Sequence, residues 1–414
     1  MSKGNRKGWK IGLIAAVCVA AVAGGVGAAT APTWAGSPVQ SEALSPMRTT
    51  PGMAAPVVKP LELGVTPTDG AQQVNPAVPA VVKATNGTVK SVSLTETQSG
   101  AAVEGSVSAD GSTWTAKGPL KFDTAYTYDF TVVDGANRQT HKTQTFNTVP
   151  AANEADAAVY PQDGQQVGVA QPIQITFSEP VINKDAVEKA IKITTTAGQV
   201  GAFHWYSDKM VRFRPEAFWT ANSTVTVDME LFGVDFGRGQ IGNFNKKITI
   251  PIGDKKVMVA DSANHVADVY INDQPAQHFL VTMGDERFPS ASGYLVLMGH
   301  QRYAHFVAST IGLKPGDPAD YGELDVNYAT RLTPSGEFIH QAAGQAVDYI
   351  GKLNLSHGCI GMNEAGASWV FNNMGVGDVV QVINSPSESA APTDGYGDWN
   401  IPWTQYPSQA ANGS

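Results

Sequence analysis

One stretch of this sequence has a close copy further along the chain. Pro67-Thr68-Asp69-Gly70-Ala71-Gln72-Gln73-Val74 returns 94 residues later as Pro161-Gln162-Asp163-Gly164-Gln165-Gln166-Val167. Repetition at such a period marks a duplicated structural unit. An alternating apolar run follows each copy, Val78-Pro79-Ala80-Val81-Val82 in one and Pro172-Ile173-Gln174-Ile175-Thr176-Phe177 in the other. Tyr126, Tyr128 and Phe130 alternate with polar residues, as do Val225 and Val227. Period-two alternation is the mark of a half-buried strand, and Asp-Gly pairs supply the turns between strands.

Short strands at regular spacing within about 100 residues read as an immunoglobulin-like sandwich. Two are expected, over 61–150 and 151–253, serving as spacers or as wall-binding modules. Charged residues are only 16% of the chain, against 42 Gly and 25 Pro. That profile suits strands and turns better than long charged helices. The expected fold class is therefore mainly β.

The texture changes after 253. Residues 256–259, 265–271, 277–282, 294–298 and 379–383 read as strands, with a turn at Asn272-Asp273. One helix is legible. Asn363 is a good N-cap, and Ala367, Val370, Phe371 and Met374 follow at helical spacing, with Gly375 as the expected stop. This third domain, 254–385, is expected to be mostly β with little helix. Residues 386–414 form a tail.

The N-terminus sets the compartment. Lys3, Arg6, Lys7 and Lys10 precede an uncharged run rich in Ala, Val and Gly. A cationic n-region before an apolar h-region is an export signal. Residues 1–35 fit both a cleaved signal and a retained membrane anchor. Residues 36–60 are rich in Pro, Ser, Ala and Thr and read as a flexible linker. Net charge is −9, and without the four N-terminal cations the body stands at −13. A body this acidic argues against a nucleic-acid partner.

Apart from Cys18 in the apolar run, the chain has one cysteine, Cys359. An exported protein with a single remaining thiol is no disulfide scaffold. Cys359 ends the string Ser356-His357-Gly358-Cys359, and His340 lies nineteen positions upstream. A thiol becomes a strong nucleophile when an imidazole takes its proton. His340 or the adjacent His357 is placed by sequence for that task. Gly358 lets the backbone approach a substrate closely, so nearby amides are candidate oxyanion donors. One thiol with scattered imidazoles is a poor metal set, so neither metal nor cofactor is expected. His141, His204, His265 and His278 read as surface or turn residues, and Trp399 and Trp403 as packing residues.

His340, fifteen intervening residues, then Ser356-His357-Gly358-Cys359: this gapped pattern resembles the signature of L,D-transpeptidases of the YkuD type. Two preceding sandwich modules and the tail Gly397-Asp398-Trp399-Asn400-Ile401-Pro402-Trp403 resemble the mycobacterial members. The resemblance implies Cys359 as nucleophile and His340 as base, oriented by the backbone carbonyl of Gln341. It implies oxyanion amides from His357, Gly358 and Cys359, with Ser356 supporting the motif. It implies peptidoglycan stem peptides as donor and acceptor, a thioester acyl-enzyme, 3→3 cross-links, and acylation by carbapenems. A lid is implied at Ala304–Tyr328, with Tyr321 and Tyr328 facing substrate, and the tail is implied to pack back on the protein. Gly361 stands where relatives commonly carry Arg or Asn, and Asn363 follows two positions later; both are substrate-contact candidates, as is Gln341. The competing expectations are a wall-binding scaffold with a degenerate site and a hydrolytic cysteine peptidase on the same stems.

Overall fold

The computed structural model describes residues 58–409. The expected export segment, most of the linker and residues 410–414 lie outside them.

Two β-sandwiches come first. One pairs a sheet ordered Glu62–Thr66, Val81–Thr85, Thr113–Ala116, Gly105–Val107 with a sheet ordered Gly87–Glu96, Ala125–Asp134, Gln139–Asn147. Alternation along Ala125–Asp134 buries Tyr126, Tyr128, Phe130 and Val132 against Trp114 and Phe146. Burying side chains of this size contributes about 1.5–3 kcal/mol each. The other pairs Gly201–Ser207, Met210–Pro215, Ile173–Phe177, Ala157–Tyr160 with Ile191–Thr195, Thr224–Glu230, Asn245–Pro251. A short helix, Lys184–Lys189, had no counterpart in the sequence reading.

The duplicated motif has a physical cause. Gly70 and Gly164 both sit at φ 73°, a left-handed turn that favours glycine. The Gly70 N–H donates to the Thr145 carbonyl at 2.7 Å, and that of Gly164 to Thr249 at 2.8 Å. Asp69 accepts from the Thr145 N–H, and Asp163 from the Thr249 N–H. Each Asp-Gly turn thus fastens the start of a sandwich to its last strand.

The third region is a nine-stranded sheet. Its order is Gly293–Val296, Val379–Ile383, Lys256–Asp261, Val266–Ile271, Gln274–Thr282, Ile360–Met362, Phe338–Gln341, Glu323–Arg331, Gly299–Val307. The turn at Asn272-Asp273 has both residues at positive φ, as a two-residue hairpin requires. The helix Glu364–Asn373 lays Ala367 and Val370 on the core beside Ile339, Ile360 and Met362. Asn363 caps it, accepting from the Gly366 N–H at 2.8 Å. Asn363→Ala is expected to cost about 1 kcal/mol, read as a lowered thermal midpoint. The helix ends at Asn373 with Met374 as its C-cap, so Gly375 is the first residue beyond it, as expected, although it is not in the left-handed conformation. Met374 is already extended, and the Gly375 N–H is taken by the Asp378 carboxyl.

Backbone bonds join the second sandwich to this sheet. The N–H groups of Gly168 and Ala170 donate to the carbonyls of Val376 and Gly377. The tail then straps the joint. Asp398, wholly buried, receives Arg212 at 2.7 Å and the hydroxyls of Tyr206 and Tyr406. The Arg214 guanidinium lies over Trp399, Trp403 and Tyr406, and the Trp399 indole donates to the Ala170 carbonyl. Further back, Asp394 accepts from the Ser335 N–H and hydroxyl. His204, read from sequence as a surface or turn residue, is buried here against the Tyr406 carbonyl.

Candidate active site

Local geometry starts at Gly358. Its φ of 110° excludes an ordinary L side chain, and an added Cβ would lie 3.1 Å from the Glu337 carboxylate. The Gly358 carbonyl accepts from the Ser290 hydroxyl at 2.7 Å, and Ser290 in turn accepts from the Gly284 N–H. The Ser356 hydroxyl donates to the Cys359 carbonyl, and the Ser356 N–H to Met283. These bonds fix the turn that leads Cys359 into the strand Ile360–Met362.

That strand runs parallel to Phe338–Gln341, with His340 opposite Gly361 and Ile339 opposite Ile360. Side chains alternate along a strand, so Cys359 and Gly361 share a face, as do Phe338 and His340. His340 and Cys359 therefore lie on one side of the ladder, and both line one groove of about 780 Å³. His340 is 6% exposed. Its Nδ1–H donates to the Gln341 carbonyl at 2.7 Å, which leaves Nε2 as an acceptor. Burial lowers the His340 pKa, so the ring is neutral near pH 7.

Cys359 is half-buried and lines the groove, and its thiol points toward the Gly336 carbonyl at 3.7 Å. Burial by the surrounding walls pushes its pKa up to about 12, and the Glu337 carboxylate adds to the rise. The resting pair is thiol and neutral imidazole. Glu337 is itself pushed up to about 7, mainly by burial, and accepts from the Ala291 N–H. Glu337→Gln removes a negative charge that opposes the thiolate. Alkylation of Cys359 by iodoacetamide is expected to shift toward lower pH in that variant; an unchanged or upward-shifted profile would contradict this electrostatic account.

The stretch Ala304–Tyr328, expected as a lid, has both ends in the ladder that pairs Gly299–Val307 with Glu323–Arg331; Thr310, Ile311 and residues 318–321 between those strands line the groove. The His357 Nε2–H donates to the Ala319 carbonyl at 2.8 Å, and the rings of Phe288 and Tyr321 flank the imidazole. Tyr321 and Gly361 line the groove. A Cβ at Gly361 would approach Thr282 to 2.9 Å, so glycine keeps this wall flat.

Three expected contacts lie off the groove. Gln341 alternates away from His340, and its side chain accepts from Asn327. Tyr328 has φ 52° and packs between Arg302 and Phe371. The Asn363 side chain is committed to its cap. The sequence reading missed Ser290, Gly336 and Glu337. Glu337 stands three positions before His340, whereas Ser290 carries no local signal.

Residues 254–382 match the L,D-transpeptidase catalytic domain family, and 71–235 match the bacterial Ig domain family in a single match running across both sandwiches. L,D-transpeptidase 2 of Mycobacterium tuberculosis is 35% identical over 347 residues, covering 83% of this chain and 84% of that protein. L,D-transpeptidase 5 of Mycobacterium tuberculosis is 29% identical over 352 residues, covering 83% and 76%. A solved L,D-transpeptidase, LdtMt1 in complex with imipenem, is 30% identical, covering 55% of this chain and 97% of its own, with a TM-score of 0.48. With its thiol and imidazole on one ladder face and homology running through sandwiches and sheet alike, the chain belongs to the L,D-transpeptidase family.

Proposed function

We propose that this L,D-transpeptidase works at the cell envelope through a Cys359 acyl-enzyme on tetrapeptide stems and makes 3→3 cross-links. The observation that carries the reading is the orientation of His340. Its Nδ1–H is held by the Gln341 carbonyl, which leaves the Nε2 lone pair as the acceptor on a residue that lines the same groove as Cys359.

The thiol proton passes to Nε2 as sulfur attacks the carbonyl of the third stem residue. Amides of the 357–359 turn receive the oxyanion. The C–N bond then breaks, the imidazolium returns its proton to the leaving amine, and D-Ala departs from a thioester. The side-chain amine of a neighbouring diaminopimelate attacks that thioester and gives a proton to His340. The new amide forms, and sulfur leaves and recovers the proton. Because thiol and imidazole rest neutral, proton transfer is coupled to attack. Export is part of the same reading and rests on the cationic-then-apolar sequence of residues 1–35. N-terminal sequencing of protein recovered from membrane and wall fractions tests it, and recovery only from cytoplasm would refute export.

Product analysis with a disaccharide-tetrapeptide tests the reaction. Free D-Ala plus a 3→3 dimer is expected. Tripeptide alone, with an amine acceptor present, marks a hydrolase. No turnover marks a binding scaffold.

A further inference from the structure

Three neighbouring strands place a row of side chains along the groove. Arg331, the last residue of Glu323–Arg331, stands directly opposite Phe338. Ile339 stands opposite Ile360, so the preceding pair, Phe338 and Cys359, lies side by side, and Cys359 packs against the small cluster that holds Phe338. Arg331, Phe338 and Cys359 all line the groove. Phe338 is the middle of the row. Adjacent strands run about 4.8 Å apart, so Arg331 and Cys359 each stand about one strand spacing from it.

The Arg331 guanidinium lies 4.3 Å over the Phe338 ring, which brings the cation over the middle of that row. Its Nη1 donates to the carbonyls of Thr333 and Pro334 at 3.1 and 3.5 Å. Among the described residues no acceptor reaches Nε or Nη2, so that edge of the fork is open. The other arginine of the groove, Arg287, is paired with Asp285 at 2.6 Å, and the His305 imidazole faces Asp325 and Glu323. Arg331 has no such carboxylate among the described residues. A guanidinium is always charged, and two parallel N–H groups on one edge match both oxygens of a carboxylate. Held on an aromatic plane and tied through Nη1, this one loses little freedom on binding one.

We infer that Arg331 is a specificity residue that holds the terminal carboxylate of the leaving D-Ala. This inference rests on the transpeptidase reading above. The carboxylate of the leaving residue is the substrate anion tethered nearest to the attacked carbonyl; its carbon is three bonds away, within about 4 Å. With the carbonyl carbon at bonding distance from the sulfur, that anion falls within reach of a guanidinium seated on the neighbouring Phe338 ring. An amide in its place offers the fork one acceptor and no charge, so it is the poorer partner. The contact ends when D-Ala departs, so Arg331 acts on the donor half of the reaction alone.

The test uses two tetrapeptide donors, one ending in D-Ala and one in D-alaninamide, with one common acceptor. D-alaninamide is the less basic amine and the better leaving group, so bond breaking alone favours the blocked donor. Wild type is nevertheless expected to favour the free carboxylate by about 10–100-fold in kcat/KM, the range of a charge-assisted bond. Arg331→Gln is expected to bring that ratio to one or below, and Arg331→Lys to restore part of it. A merely structural Arg331 would lower both donors equally and leave the ratio intact, which overturns the proposal. A wild-type ratio near one or inverted overturns it without any variant, while leaving the transpeptidase reading standing. Turnover of neither donor by wild type removes that reading and the inference with it.

Discussion

Cys359→Ala is expected to abolish turnover and, with it, the covalent adduct that the wild-type protein is expected to form with a carbapenem. The loss in rate should be roughly 10⁴-fold or more, because removing a catalytic nucleophile is not compensated by the groups around it. Intact mass spectrometry after incubation with imipenem reads the adduct directly. The wild-type protein should gain one drug mass and the variant none. Alanine fits the site without strain, since the sulfur only fills space beside Phe338 and the Gly336 carbonyl. A melting curve close to wild type should therefore accompany the loss. A variant that still takes up the drug would place the nucleophile elsewhere and end the acyl-enzyme account.

Asp398→Ala is the second large effect, and it acts on stability. Asp398 is wholly buried and Arg212 is 4% exposed, so the pair lies out of reach of water. Removing the carboxylate leaves a buried guanidinium and two tyrosine hydroxyls, Tyr206 and Tyr406, without their shared acceptor. Breaking a buried ion pair from one side costs about 3–5 kcal/mol. For a domain of 150–250 residues that corresponds to a fall in the melting midpoint of about 6–20 °C. The double variant Asp398→Leu with Arg212→Met should recover most of the loss, because no charge is then left unpaired. A single variant that melts within a degree of wild type would show that the tail does not hold the joint.

Much of this architecture was legible in the letters because its signals are local. The Asp-Gly repeat announced two sandwiches, since each copy needs the same left-handed glycine and the same carboxylate acceptor. Tyr126, Tyr128 and Phe130 announced their strand by alternation. The helix after Asn363 was legible from its cap and spacing, and Gly375 is the first residue past its C-cap Met374. The two strands that position the thiol and the imidazole were harder. Ile360–Met362 and Phe338–Gln341 are only three and four residues long, too short for a period to show. Their parallel pairing is a long-range event that no neighbouring residue encodes. The thiol and imidazole were found through their spacing, whereas Glu337 acquires meaning only when it is seen against Cys359. Tyr328 and Asn363 misled for a related reason. Each has a side chain suited to binding, and each is occupied by packing or capping.

The strap at Asp394 has a consequence for timing. Ser335 is held by that carboxylate, and the next residue, Gly336, offers its carbonyl to the thiol. A chain emerging N-terminus first has already delivered its sulfur and imidazole before residue 394 appears, yet the ledge beside them is not fastened. Competence thus arrives late in biogenesis, after both sandwiches have had time to form, and a half-emerged molecule carries an unfinished site.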